Sequence, residues 1–160
     1  MYFEKQEDDD CSVHSFNNAA GAKVITDKEV LESIERMKVA YQSQLVELGV
    51  SEDKAADMTK EYASKLSTKK TNFTPETVWA AALSRAGVPI PVETSKDIPD
   101  GDTRRLIILG EGHENNKHAI AARGGLLYDS LSKDEVGVPV TKENLSKIYT
   151  KIDGVYELKY

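Results

Sequence analysis

The sequence predicts an α+β fold with its helices first and an antiparallel sheet second. Up to Gly87, apolar residues recur at helical spacing behind polar capping residues. From Val88 onward the pattern changes to short apolar runs broken by Gly, Pro, Asn and Asp. Between two of these runs stands Gly124-Gly125, a pair suited to a two-residue hairpin turn.

Cys11 to Ala20 reads as a short helix with Val13, Phe16 and Ala20 on one face, stopped by Gly21. Thr26-Asp27-Lys28-Glu29 is a capping box, and Val30, Ile34, Met37, Tyr41, Leu45 and Leu48 form one apolar stripe that ends at Gly49. Ser51 caps a second arm with Ala55, Met58, Tyr62 and Leu66 on a narrower face, so residues 27 to 66 read as a helical hairpin. Ser67 to Thr71 is a polar stretch. Thr74 and Pro75 start a further helix that places Val78, Trp79, Ala82, Leu83 and Ala86 inward and stops at Gly87.

Val88 to Val92, with two prolines, suits an edge strand. Ser95 to Thr103 and Gly110 to Lys117 read as loops around a strand at Arg104 to Leu109. His118 to Arg123 and Leu126 to Leu131 are the arms of the Gly-Gly hairpin. Thr141 to Thr150 is expected as a short helix, and Val155 to Leu158 as a last strand.

At 160 residues the chain has the size of one domain, 1–160. Its longest apolar run, Val78 to Leu83, is far below the roughly 20 residues of a membrane span. A soluble chain that does not engage a membrane is expected. The opening Met1-Tyr2-Phe3-Glu4-Lys5 has no signal-peptide character. A formal charge of −6 and no basic stripe interleaved with aromatics argue against a nucleic-acid partner. A single cysteine fits a reducing compartment, cytoplasmic or nuclear, and forms neither a disulfide nor a multi-cysteine zinc site. His113, Glu114 and His118 do not have the four-residue histidine spacing of a helical zinc motif, and Gly110-Glu111-Gly112 is too short for a dinucleotide fingerprint. No metal and no cofactor are expected.

A nucleophilic cysteine needs a lowered pKa, a base, a group that orients the base, and donors for an oxyanion. Cys11 at a helix start gains from the helix dipole. Counting back from the Gly-Gly turn pairs Ala121 with Tyr128 and Ile120 with Asp129, so His118 and Asp129 become diagonal neighbours on one face. Such neighbours lie about 7 to 8 Å apart at the backbone, within reach of an imidazole and a carboxylate. The plain alternatives are a small buried thiol at Cys11 and a surface ion pair at His118 and Asp129. Asp8-Asp9-Asp10 makes a route into the core unfavourable, and the same charges oppose a thiolate.

Glu4-Lys5-Gln6-Glu7, three residues, Cys11-Ser12-Val13-His14, two residues, then Asn17-Asn18 resembles the opening block of the Josephin family of cysteine deubiquitinases. Lys117-His118-Ala119-Ile120-Ala121-Ala122 and Leu127-Tyr128-Asp129-Ser130-Leu131 are similar to that family's histidine strand and the segment after it. The resemblance implies a papain-like cysteine protease fold, acting as a monomer on ubiquitin or a ubiquitin-like protein. It implies Cys11 as nucleophile, Gln6 as an oxyanion donor, His118 as base and Asp129 as orienter. Asp129 replaces the family's usual Asn, and Ala119 its common Trp. The helical hairpin corresponds to the family's ubiquitin-holding arm, although no motif there identifies contact residues. His14, Asn17 and Asn18 are expected to act in structure, His14 through nearby backbone. Two rivals stand beside this reading. One is a papain-like protease of a polyprotein or a specific protein; the other is a catalytically silent ubiquitin-binding module.

Overall fold

Polar caps fix the helix starts. The computed structural model describes residues 2–4, 11–69, 72–130 and 137–160, with Cys11, Thr68, Lys69 and Asn72 by backbone alone. Helix α1 spans Cys11–Ala20, α2 Asp27–Glu47 and α3 Glu52–Ser64. The Thr26 hydroxyl accepts from Glu29 N at 3.2 Å and donates to Glu29 Oε1 at 2.9 Å, so the box closes between side chains rather than back onto the Thr26 amide. The other Glu29 oxygen pairs with Arg85.

Ser51 caps α3 and Thr74 caps α4, Pro75–Leu83. Helix α4 is a turn shorter than the spacing suggested, and Leu83 is 61% exposed rather than inward. The α2 stripe also divides. Val30 and Ile34 are buried in the core, Tyr41 stacks on Tyr62 of α3 at 4.3 Å between centroids, and Leu48 lies in solvent. The hairpin arm is therefore anchored at the N-terminal end of α2. Between α3 and α4 the polar stretch forms a small antiparallel pair, β1 (Ser67–Lys69) with β2 (Asn72–Phe73).

Six strands make the main sheet: β3 (Ile90–Thr94), β4 (Leu106–Gly112), β5 (Lys117–Arg123), β6 (Leu126–Tyr128), β7 (Val138–Pro139) and β8 (Tyr149–Lys159), in the order β3-β8-β4-β5-β6-β7. Every adjacent pair is antiparallel. The fold is thus α+β, and β3, which carries Pro91, occupies an edge. Gly124 and Gly125 both take positive φ, 61° and 86°, giving the primed turn that matches strand twist. The β5–β6 register is Ala121 with Tyr128, Ala122 with Leu127 and Arg123 with Leu126.

Four expectations are corrected. Strand β6 ends at Tyr128, so Asp129 and Ser130, expected within it, lie beyond it, and Leu131 is outside the described residues. Gly110 to Gly112 is strand and not loop. Strand β7 was not foreseen. Helix α5 spans Lys142–Ile148, and β8 begins directly after it at Tyr149. Apolar clusters cover both faces of the sheet. Val13, Phe16, Ala19, Val30 and Val78 pack on Ile107, Ala121, Tyr128 and Leu158 on one side. Leu145 and Tyr149 pack on Leu106, Ile108, Ile120 and Val155 on the other. Among the described residues, no helix is long and apolar enough to cross a membrane.

Candidate active site

Helix α1 lies across β5, which brings its first residue, Cys11, toward the end of the strand where His118 stands. The register of this contact is set by Ser15, one helical turn after Cys11, whose hydroxyl donates to Ala119 O at 2.7 Å. Ser12 is buried and donates to Phe73 O at 3.1 Å. An open groove of about 420 Å³ runs between these elements, lined by Ser12, Phe73, Pro75, Leu109, His118 and Ala119 among others.

His118 Nε2–H donates to Asp129 Oδ1 at 2.7 Å. The histidine side chain is 8% exposed and the carboxylate 25%, so the bond is shielded on one partner and reachable on the other. The β5–β6 ladder ends at Ala121 and Tyr128; Asp129 directly follows Tyr128 and His118 stands three residues before Ala121, so the two side chains meet just beyond the ladder. A carboxylate on Nε2–H makes Nδ1 the basic nitrogen of the neutral ring, the one able to accept a proton from another group. The amides of the first turn of α1 lack partners within the helix and are oriented toward the same end.

Gln6 and Asp8 to Asp10 lie outside the described residues, as do Leu131 and Thr71. The segment that leads to Gln6 is nevertheless anchored as far as Glu4. Asn18 binds the Glu4 backbone both ways, accepting from N at 2.6 Å and donating to O at 3.1 Å. The Glu4 carboxylate accepts from His14 Nδ1 at 2.7 Å and from Asn17 Nδ2 at 3.1 Å. Arg123, at the far end of β5, donates to Tyr2 O at 2.9 Å and Asn18 O at 2.7 Å while lying over the Tyr128 ring. His14 and both asparagines thus bond the Glu4 segment, and a side chain, the Glu4 carboxylate, is a partner of His14 where nearby backbone was expected. The clasp joins the N-terminal segment to the two elements that carry Cys11 and His118.

At the groove rim Lys117 donates to Asp153 at 2.8 Å and pairs with Glu111 at 3.2 Å. These bonds, Asp153 first, raise the Lys117 pKa, and the same bond lowers that of Asp153. His113 lies away from His118 and bonds Ser146 O at 2.8 Å. Among the described residues no group of three His, Cys, Asp or Glu side chains is arranged to hold a metal.

Ser15, Arg123 and Tyr149 were not anticipated from the sequence. The Tyr149 hydroxyl lies 2.7 Å from Ile108 O and 2.9 Å from His118 O. Only a polar residue on the apolar face of α1 signals Ser15; the partners of the other two are far away in sequence. No protein-family model matches the chain, and no curated protein matches it.

Proposed function

We propose that this chain is a papain-like cysteine protease of Josephin type that cleaves the bond after the C-terminus of ubiquitin or a ubiquitin-like protein. The observation that carries the reading is the 2.7 Å bond from His118 Nε2–H to Asp129 at the edge of a groove beside the start of α1. An imidazole oriented in this way, on a groove that also takes in the first turn of a helix beginning with a cysteine, is what thiol catalysis requires. The two blocks that resemble Josephin domains fall on these elements, and this is what favours a ubiquitin-type substrate.

In this mechanism His118 takes the Cys11 proton at Nδ1, and the thiolate attacks the carbonyl carbon of the substrate's terminal glycine. Gln6 and the first-turn amides of α1 hold the oxyanion. The imidazolium then protonates the leaving amine, and a thioester remains. Water attacks the thioester with His118 as base, releasing the carboxylate and regenerating the thiol. Asp129 orients the ring and stabilises its cationic form. The acidic run Asp8 to Asp10 suits a basic substrate tail. A monomer working in a reducing compartment completes the proposal.

The test is reaction of the purified protein with ubiquitin bearing a C-terminal electrophile, beside the Cys11→Ala variant. A covalent adduct that requires Cys11 supports the reading. Cleavage of unfolded peptides without an adduct favours a general papain-like protease. Ubiquitin binding with no reactive thiol favours a silent module.

A further inference from the structure

Two buried hydroxyls grip consecutive carbonyls of β5 at the candidate base. Ser15 is 1% exposed and Tyr149 4%. Tyr149 sits in an apolar cluster and Ser15 is buried on the helix that packs on β5; alanine and phenylalanine would fill the same space. A buried hydroxyl is retained without penalty only where it finds a partner. Here the partners are Ala119 O for Ser15 and, for Tyr149, the carbonyls of Ile108 and His118, which share its single proton.

The surroundings explain why the strand needs these grips. Among the described residues the β5–β6 ladder covers Ala121 to Arg123, whereas the β4–β5 ladder runs the full length to Lys117. Ser15 takes the Ala119 carbonyl beyond the end of the β5–β6 ladder. On the other side, Gly110 is the cross-strand partner of His118, and Tyr149 packs against it. A β-carbon at Gly110 would come within 2.9 Å of the Tyr149 ring and 2.4 Å of Lys151 O. The missing side chain at Gly110 therefore leaves the space through which Tyr149 reaches the strand of the base.

We infer that Ser15 and Tyr149 are positioning residues that fix the His118–Ala119 stretch of β5 against the helix that begins at Cys11, and so set the separation of thiol and imidazole. This inference rests on the cysteine-protease reading above. Ser15 acts from the cysteine helix, one turn beyond the nucleophile, and Tyr149 from β8. A thiolate–imidazolium pair is held by attraction that falls off with distance, so a loosened strand returns the thiol toward its ordinary pKa.

The experiment uses the full chain as wild type, Ser15→Ala, Tyr149→Phe and the double variant. Tyr156→Phe serves as a control that loses a hydroxyl bonded to Glu93 and remote from His118. Each substitution removes one oxygen and retains packing. Alkylation of the single cysteine by iodoacetamide across pH gives the thiol pKa. Turnover of ubiquitin carrying a fluorogenic C-terminal amide gives kcat and KM. Wild type is expected to titrate below ~8.5. Each variant should move upward, the double variant most, with kcat about tenfold lower and KM within about twofold.

A depressed wild-type thiol pKa with unchanged pKa and kcat in both variants overturns the positioning role and leaves the protease reading standing. A lower melting temperature with no other change is the mark of a purely structural role and overturns it as well. A wild-type thiol of ordinary pKa without turnover overturns both. A depressed pKa without turnover of ubiquitin removes only the substrate assignment, and the shifts in the variants still decide the positioning role.

Discussion

Replacing Asn17 with alanine should cost on the order of 4 kcal/mol of folding stability, and the structure says where that cost arises. Asn17 is fully buried and uses its whole hydrogen-bonding capacity. Its Oδ1 accepts from Val24 N at 3.0 Å and Ile25 N at 3.1 Å, while Nδ2 donates to Ile25 O at 2.8 Å and Glu4 Oε1 at 3.1 Å. Truncation strands three backbone groups at about 1 kcal/mol each, and removes a bond to a charged group worth roughly 1.5 more. Against a typical total of about 5 to 15 kcal/mol, such a loss leaves the domain marginal. The assay is urea denaturation followed through Trp79, which packs on Tyr156 at 4.2 Å between centroids. The midpoint should fall while the slope stays constant, since the same surface is exposed on unfolding. Asn17→Asp should be no milder at neutral pH, because the new carboxylate would face Glu4 Oε1 and Ile25 O. A loss below ~1 kcal/mol for Asn17→Ala at constant slope would show that water or relaxation replaces the amide, and the reasoning would fail.

Asp129→Asn should keep kcat within about tenfold, because an amide oxygen still accepts Nε2–H, whereas Asp129→Ala should lose about a hundredfold. Equal losses in the two variants would refute the orienting role. Gly110→Ala should destabilise by about 1 to 3 kcal/mol through overpacking against Lys151 O and Tyr149, and should lower kcat beyond what thermal melting accounts for. Unaltered kinetics in a folded Gly110→Ala protein would count against that link. Side-chain bonds from Arg104, at 2.7 to 3.1 Å, hold the Asp102 carboxyl below its ordinary value. A lowered folded pKa contributes stability that is present above the unfolded value of about 3.9 and is lost as pH falls through the folded value. The advantage of wild type over Asp102→Asn should therefore be constant near neutrality and shrink below about pH 4. Urea titrations at pH 7 and pH 3 measure it, and a difference independent of pH would contradict the assignment.

What could be read from sequence was local. Thr26, Ser51, Thr74 and Thr141 each bond an amide three residues ahead, so four helix starts need no tertiary information. Gly124-Gly125 fixes the register of the three pairs beside it, as counting gives; the expected Ile120–Asp129 pair is not part of the ladder, although His118 and Asp129 do bond. The misreadings share a cause in long-range packing. Gly110 and Gly112 resemble loop glycines, yet Gly110 is a strand residue whose missing side chain makes room for Tyr149. Strand β8 was reduced to its last residues because Lys151-Ile152-Asp153-Gly154 shows no clean alternation. Its ladder with β4 is irregular over that stretch, so regular alternation was never required of it. Arg123 reads as a turn-flanking cation, and only the fold brings it to Tyr2 and Asn18. Half of the α2 stripe is spent on α3 or solvent, which a periodic pattern does not distinguish from core.

The place of β8 in the sheet has a kinetic consequence. It is synthesised after the other five strands of the sheet, yet lies between β3, which ends at Thr94, and β4, which ends at Gly112, well before β8 begins at Tyr149. Until it arrives, β3 has no neighbour and β4 is open along one side. The His118–Asp129 hairpin can form early from local contacts, whereas Tyr149 comes only with the final insertion. A partly made chain therefore holds its candidate base and orienter without the strand that steadies them, and presents two unsatisfied edges to other chains. Closure of the sheet by its last strand is then the step that turns an association-prone intermediate into a competent site, so late truncations should appear as aggregation before they appear as weak activity.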